Sequence, residues 1–315
     1  MALDHILVDE YKFAETYPTG LEDLEDWESA WFHYSRKHTS RRKDGTISEI
    51  ARNLDDRTCQ TVYQWLMEGN KPPVVNFLNR AERIGLMPFG LSNNKFFYIN
   101  KFLSYVFWTG CIGKKYQICV NLKRRPGRSL NNMLRKILRI NSKYVEYSNG
   151  SGFIDCNQNG PLYARVFQQL GLPVGGGKKT NHNLRLPRYI KELVKIVDAG
   201  FETKRYRSIA LKALEDFVLV LFKTRRDVVT DNYWTLLLHC NKTERIAREL
   251  GEDVVGLLYY LFPKAEITED NLGKKLSYNK KRVLWNARIY LKKENLEKLR
   301  THYPSFYKRI DDGKI

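Results

Sequence analysis

Leu103-Ser-Tyr-Val-Phe-Trp-Thr-Gly110-Cys111 and Phe217-Val-Leu-Val-Leu-Phe-Lys-Thr-Arg225 decide how this chain is read. Each closes an apolar helical segment, over 96–110 in the first case and 207–223 in the second. A helix that is hydrophobic all round belongs in a core rather than at a surface. The two stretches stand about 115 residues apart, which is too long for a solenoid repeat and suits a duplicated domain folded as a pseudo-dimer.

The flanking segments repeat as well. After the first apolar helix, 115–122 alternates, with Tyr116, Ile118, Val120 and Leu122 on one face and Lys115, Gln117, Cys119 and Asn121 on the other, as a half-buried strand does. Ser129 opens a helix to Ile140, and 143–147 with 152–156 flank Asn149-Gly150, a hairpin signal. A helix over 161–171 follows, then the loop Gly175-Gly176-Gly177, and Leu186-Pro187 leads into a connecting helix. After the second apolar helix come a strand over 232–240, a helix over 242–262, an alternating strand over 281–291 and a closing helix over 294–303. Helix, strand, helix, strand, helix thus occurs twice.

The first ninety residues read differently. Leu21, Leu24, Trp27 and Trp31 mark the apolar stripe of a helix over 19–38, with acids in its first turns where the helix dipole favours them. Asp44-Gly45 signals a turn, and Thr46-Ile-Ser-Glu49 matches a capping box that starts a short helix carrying Ile50, Ala51 and Leu54. Asp55-Asp56 breaks it. A second helix, from Arg57 to Leu66, ends at Gly69-Asn70, and a third runs from Val74 to Ile84. Two short helices with a tight turn resemble a helix-turn-helix, whose second helix would enter the major groove, the alternative being a plain three-helix bundle. Arg57, Thr58, Gln60, Thr61 and Gln64 would then face outward to base edges, with Val62, Trp65 and Leu66 packed inward.

Charge narrows the function. The 315 residues hold 54 Lys+Arg and 35 Asp+Glu, a formal charge of +19. Residues 1–31 carry nine acids and the single base Lys12, whereas 83–143 contains no Asp or Glu. A folded segment of one charge sign repels itself unless a polyanion neutralises it, and interleaved aromatics make that polyanion a nucleic acid. Lys114, Lys123, Arg124 and Arg125 in this stretch are candidate phosphate ligands, as are Lys280 and Lys281 further on. The apolar and aromatic content excludes a disordered chain, and no apolar run is long enough to span a bilayer. Five scattered cysteines without C-x-x-C spacing argue against a disulfide scaffold or zinc ribbon and suit a reducing cytoplasm. The six histidines show no metal spacing.

The duplicated order, the two apolar helices, and the phrases Asn241-Lys-Thr-Glu-Arg-Ile-Ala-Arg248 and Asn286-Ala-Arg-Ile-Tyr-Leu-Lys-Lys-Glu-Asn-Leu296 resemble the LAGLIDADG homing-endonuclease family. The resemblance covers about 96–303 and implies an α+β fold: an N-terminal all-α helix-turn-helix domain over 1–90, then a duplicated αββαββα pseudo-dimer with repeats at 91–190 and 191–315. It implies that two strand saddles lie along the major groove of double-stranded DNA. Lys115, Gln117 and Asn121 would be contacts in the first repeat, and Tyr233, Thr235, Asn286 and Arg288 in the second. Active members end each signature helix in an acid, and the two acids hold Mg²⁺ beside the scissile phosphates. Here Cys111 and Arg225 stand at those places, so the resemblance implies a DNA binder without cofactor or cleavage chemistry. Arg225 and Arg226 would meet phosphates where the metal would have been, or cap their own helix.

WhiA-type regulators show the same logic, a decayed LAGLIDADG domain fused to a helix-turn-helix, which by analogy suggests transcriptional regulation at the nucleoid. Three alternatives stay open. One is an active endonuclease using Mg²⁺ on Asp227 with Asp155 or Asp231. Another is RNA binding, as in maturases. The last is a protein partner docking on the acidic helix at 21–31.

Overall fold

The computed structural model describes residues 6–37, 43–54, 57–175, 184–199, 204–238, 243–273, 277–279 and 284–311. It is a mixed α+β structure in two compact units.

Strand β1 (Ile6–Val8) leads into the first unit, Val8–Phe89, which holds α1 (Glu10–Ala14), α2 (Gly20–Lys37), α3 (Lys43–Arg52), α4 (Cys59–Leu66) and α5 (Pro73–Arg83); β2 (Phe89–Gly90) leads out of it. Its core joins Ala30 of α2, Ile47, Ile50 and Ala51 of α3, and Val62 and Trp65 of α4, with Leu54 from the connection. Helix α3 already runs at Lys43, so Asp44, Gly45 and Thr46 lie inside a helix rather than in a turn and cap. Burying Ile47 and Ile50 against α2 outweighs the weak helix propensity of Asp-Gly-Thr. Asp55 and Asp56 lie outside the described residues, as do His5, His38, His182 and His239.

The second unit contains Gly90–Ile315 together with Ile6 and Leu7. Helix α6 (Phe96–Thr109) passes without a loop into β3 (Gly110–Ile112), followed by β4 (Ile118–Lys123), α7 (Arg124–Lys136), β5 (Ser142–Glu146), β6 (Ser151–Cys156), α8 (Gly160–Gln169) and α9 (Arg188–Asp198). Helix α10 (Lys204–Arg225) passes in the same way into β7 (Arg226–Val229), followed by β8 (Tyr233–Leu237), α11 (Glu244–Leu261), β9 (Ser277–Asn279), β10 (Leu284–Asn286), β11 (Arg288–Lys292), α12 (Lys293–His302) and α13 (Pro304–Asp311). One antiparallel sheet has the order β3-β4-β6-β5; a second has the order β11-β8-β7, and β9 pairs with β10 alone.

Helices α6 and α10 pack side by side as the apolar centre of this unit. Asn100 on α6 is fully buried, donates its amide to the Ala213 carbonyl of α10 at 3.1 Å, and accepts the hydroxyl of Tyr189 on α9 at 3.0 Å. Burial drives the Tyr189 hydroxyl far above its ordinary range, so it remains a neutral donor. Further along, the Trp108 indole donates to the Phe217 carbonyl at 3.1 Å, and the two rings lie 5.1 Å apart. The buried small residues of α10 are Ala210 and Ala213, earlier than the valines of the apolar run.

Several boundaries differ from the sequence reading. Lys115 and Gln117 are not on a strand: the chain turns between Gly113 and Gln117, and Tyr116 takes a left-handed φ of 58°. The Tyr116 hydroxyl donates to Gln168 at 2.8 Å, and the Arg165 guanidinium stacks on its ring at 3.8 Å. Helix α7 starts at Arg124 instead of Ser129, because Pro126 and Gly127 sit in its first turn, where a proline loses no hydrogen bond. The expected strand over 281–291 breaks at Ala287, leaving β10 on the β9 hairpin and β11 on the sheet. Strands β3 and β7 carry no signal in the sequence, because they are too short for alternation to register.

Candidate nucleic-acid interface

The C-terminal ends of α6 and α10 open onto a cleft of about 660 Å³. Helix α6 contributes Lys101, Tyr105 and Thr109; α10 contributes Lys223 and Thr224; the strand β7 contributes Arg226 and Val229. The remaining wall is built by Asn121, Lys123, Arg125 and Ser129 from β4 and α7, and by Tyr147 and Ser151 from the β5–β6 hairpin. Five cations and several hydroxyls line the cleft, and among the described residues no carboxylate does. Mutual repulsion of five cations is relieved by an anion with several acceptor oxygens, the chemistry of phosphate groups.

Neighbouring groups hold three of these side chains. Arg226 stacks its guanidinium on the Trp234 ring at 4.7 Å and donates to the Ile310 carbonyl of α13 at 3.4 Å. Thr109 and Thr224 return their hydroxyls to carbonyls one turn back, Tyr105 and Val220. Lys123, Asn121 and Arg125 are exposed on the cleft wall. Lys114 and Lys115 project from the β3–β4 turn and Gln117 is exposed beside them.

Other predicted contacts sit differently. Arg225 does not face a phosphate: Nε donates to the Trp108 carbonyl of α6 at 2.7 Å, and Nη2 shares that acceptor. It caps the neighbouring helix rather than its own. Arg124 and Arg128 both pair with Glu146 on β5. Thr235 is 2 % exposed, and its hydroxyl accepts the Val228 amide at 3.0 Å where β7 bulges, so it lies beneath the sheet surface. Asn286 is 8 % exposed on β10 and is likewise no surface contact. Arg288 pairs with Asp227 at 3.0 Å. Tyr233 is exposed with its ring 6.3 Å from that of Tyr290. Lys280 and Lys281 lie outside the described residues.

In the helical unit, Arg57 turns inward. It bridges Asp23 and Asp26 of α2 at 2.7 Å each, with its guanidinium 5.4 Å from the Trp65 ring centre. Thr58 is the N-cap of α4, accepting the Thr61 amide at 3.1 Å, and the two threonine hydroxyls are 2.9 Å apart. Gln60 is exposed and Gln64 half-buried, leaving these two as the amide side chains α4 offers outward. The acids of α2 thus serve partly as ligands for Arg57, a pairing that 31–34 residues of separation hid from local pattern reading.

The donor set does not fit a Mg²⁺ ion at the helix ends. Cys111 faces Cys119 across the sheet, Arg225 and Arg226 are cations, and the nearby Asp227 is held by Arg288. Among the described residues no cluster of three or more His, Cys, Asp or Glu side chains is arranged to hold a metal, and no helix is long and apolar enough to cross a membrane.

No family model matches this chain, and no curated protein does. A solved structure described as "The homing endonuclease I-WcaI bound to its DNA recognition sequence" overlays on it with a TM-score of 0.39 and 12% identity, covering 80% of this chain and 93% of that one. An overlay that loose leaves the cleft to be read from its own residues.

Proposed function

We propose that this chain is a non-catalytic, sequence-specific binder of double-stranded DNA, built as a degenerate, duplicated LAGLIDADG-like pseudo-dimer behind an N-terminal helix-turn-helix, and that it acts as a transcriptional regulator in the cytoplasm. The observation that carries the reading is the cleft at the paired ends of α6 and α10, with its five cations and no lining carboxylate. The duplication is supported by matched connections: each apolar helix runs directly into a strand, that strand pairs with the next, and the next pairs with the last strand before a closing helix. The binding of Arg225 to the Trp108 carbonyl supports the loss of cutting, since a guanidinium now occupies the helix ends where acids would be required.

The helix-turn-helix reading now rests on Gln60, Thr61 and Gln64 for base contacts, with Arg57 and Thr58 as its framework. The test is titration of duplex DNA at increasing salt, with and without Mg²⁺ or Mn²⁺. Expected are a log-affinity that falls with log salt by about 0.9 per phosphate contact and intact DNA at every metal concentration. A flat salt response would reject DNA binding. Cleavage abolished by Asp227→Asn would instead establish the endonuclease, and preference for structured RNA at equal salt would establish the maturase-like alternative.

A further inference from the structure

Cys111 on β3 and Cys119 on β4 are register partners in the antiparallel sheet, and both are partly accessible. Directly opposed residues of antiparallel strands have Cα atoms about 4.5–5.5 Å apart, on the same face. A disulfide spans Cα separations of about 4.4–6.8 Å. The two thiols therefore meet the backbone requirement for a bond without any rearrangement of the strands. Cys156 is the register partner of Ile118, on the opposite, buried face, and cannot compete for either sulfur. Cys59 belongs to the other unit.

We propose that Cys111 and Cys119 form an oxidisable dithiol that closes to a cross-strand disulfide and locks the β3–β4 hairpin. With hydrogen peroxide as the oxidant, the Cys111 thiol, on the outermost strand of the sheet, takes up one oxygen to become a sulfenic acid and releases water. The Cys119 sulfur then attacks it, forming the S–S bond and expelling a second water, so two thiols and one peroxide give one disulfide and two waters. Burial, with smaller contributions from Cys111 and Asp155, pushes the Cys119 thiol up to about 11, so closure at neutral pH is slow and needs sustained oxidant. The site has a place in the fold that gives it leverage. Cys111 lies two residues beyond the end of α6, and Cys119 lies two residues before Asn121, on the same strand face as that cleft residue. Oxidation thus rigidifies one wall of the cleft and the turn carrying Lys114 and Lys115.

The test uses the full chain, treated with hydrogen peroxide, alkylated, digested without reductant and mapped by mass. Expected is a Cys111–Cys119 cross-linked peptide, loss of both alkylation sites together, their recovery on reduction, and slower hydrogen exchange at the amides of Gly113–Gln117. Cys111→Ser and Cys119→Ser should each abolish the cross-link, while Cys59→Ser leaves it unchanged. Independent oxidation of the two sulfurs to sulfinic acid, or a cross-link to Cys240, would overturn the proposal. None of these readouts uses DNA, so they stand or fall apart from the binding function.

Discussion

The guanidinium of Arg225, the last residue of α10, donates to the carbonyl oxygen of Trp108 on α6, while the Trp108 indole donates back to the Phe217 carbonyl of α10. The two central helices therefore exchange hydrogen bonds between side chain and backbone near the mouth of the cleft. Charge-assisted bonds of this kind contribute about 1.5–3 kcal/mol each. Arg225→Ala should lower the stability of the unit by that amount in urea denaturation, and Arg225→Lys should recover little, because an ammonium lacks the fork. An unchanged midpoint in Arg225→Ala would remove the cap from the account.

Asn100 gives a second test of the same packing. Asn100→Leu removes both bonds at a fully buried site and strands the Tyr189 hydroxyl, and should cost about 2–5 kcal/mol. Tyr189→Phe leaves only the Asn100 carbonyl unpartnered in that pair and should cost about 1–3 kcal/mol. The double variant Asn100→Leu/Tyr189→Phe should be less destabilised than the sum, since the stranded hydroxyl is gone. Additive losses measured in the double-mutant cycle would argue against the bond.

Phosphate binding at the cleft predicts a graded response. Lys123→Ala and Arg125→Ala, both exposed on its wall, should each weaken binding to all duplexes about equally and reduce the salt slope by about 0.9. Filter binding at several salt concentrations reads both quantities. Slopes that match the unsubstituted chain would place the phosphates elsewhere.

Arg57 and Gln60 should separate framework from readout in the helical unit. Arg57→Ala leaves Asp23 and Asp26 facing each other without a cation and should cost about 1–3 kcal/mol of stability. Gln60→Ala should leave the melting temperature alone and relax sequence preference in a selection from random duplexes. A Gln60→Ala protein that selects the same sites as the unsubstituted chain would count against α4 as the reading helix.

Glu215 supplies a pH prediction. Burial raises its carboxyl above the ordinary 4.5, although Arg309 pulls the other way. The native state therefore holds this proton more tightly than the unfolded chain, a contribution present below the ordinary value and lost as pH rises through the raised one. Glu215→Gln should raise the melting temperature at neutral pH by about 1 °C or less, given the partial exposure, and the gain should vanish below about pH 4. A gain that persists in acid would point to a cause other than ionisation.

What the sequence made legible follows from locality. The apolar helices around Trp108 and Phe217, the helix-and-strand alternation, and the basic stretch before Lys143 were all written as periodicity and charge along the chain. The roles of Arg57, Arg225, Thr235 and Asn286 were not, because each is fixed by partners or burial that only the folded chain brings about. The composition of its helix marks Arg57 as a base contact, and position in the first turns of α2 marks Asp23 and Asp26 as dipole partners, whereas the fold pairs them with each other. The cleft itself draws on α6, β4, α7, the β5–β6 hairpin, α10 and β7, and no window of sequence contains it.

Gly110 bears on what could evolve from this chain. A Cβ built there would stand 2.4 Å from the Cys119 carbonyl oxygen, a backbone atom that cannot swing aside. Any residue with a side chain at this position would force β4 to shift, so the passage from α6 into β3 is tied to glycine by its neighbour's backbone. Drift at this site is thus closed off by geometry, and substitutions that reshape the cleft have to arise on its walls, not at the joint between helix and sheet.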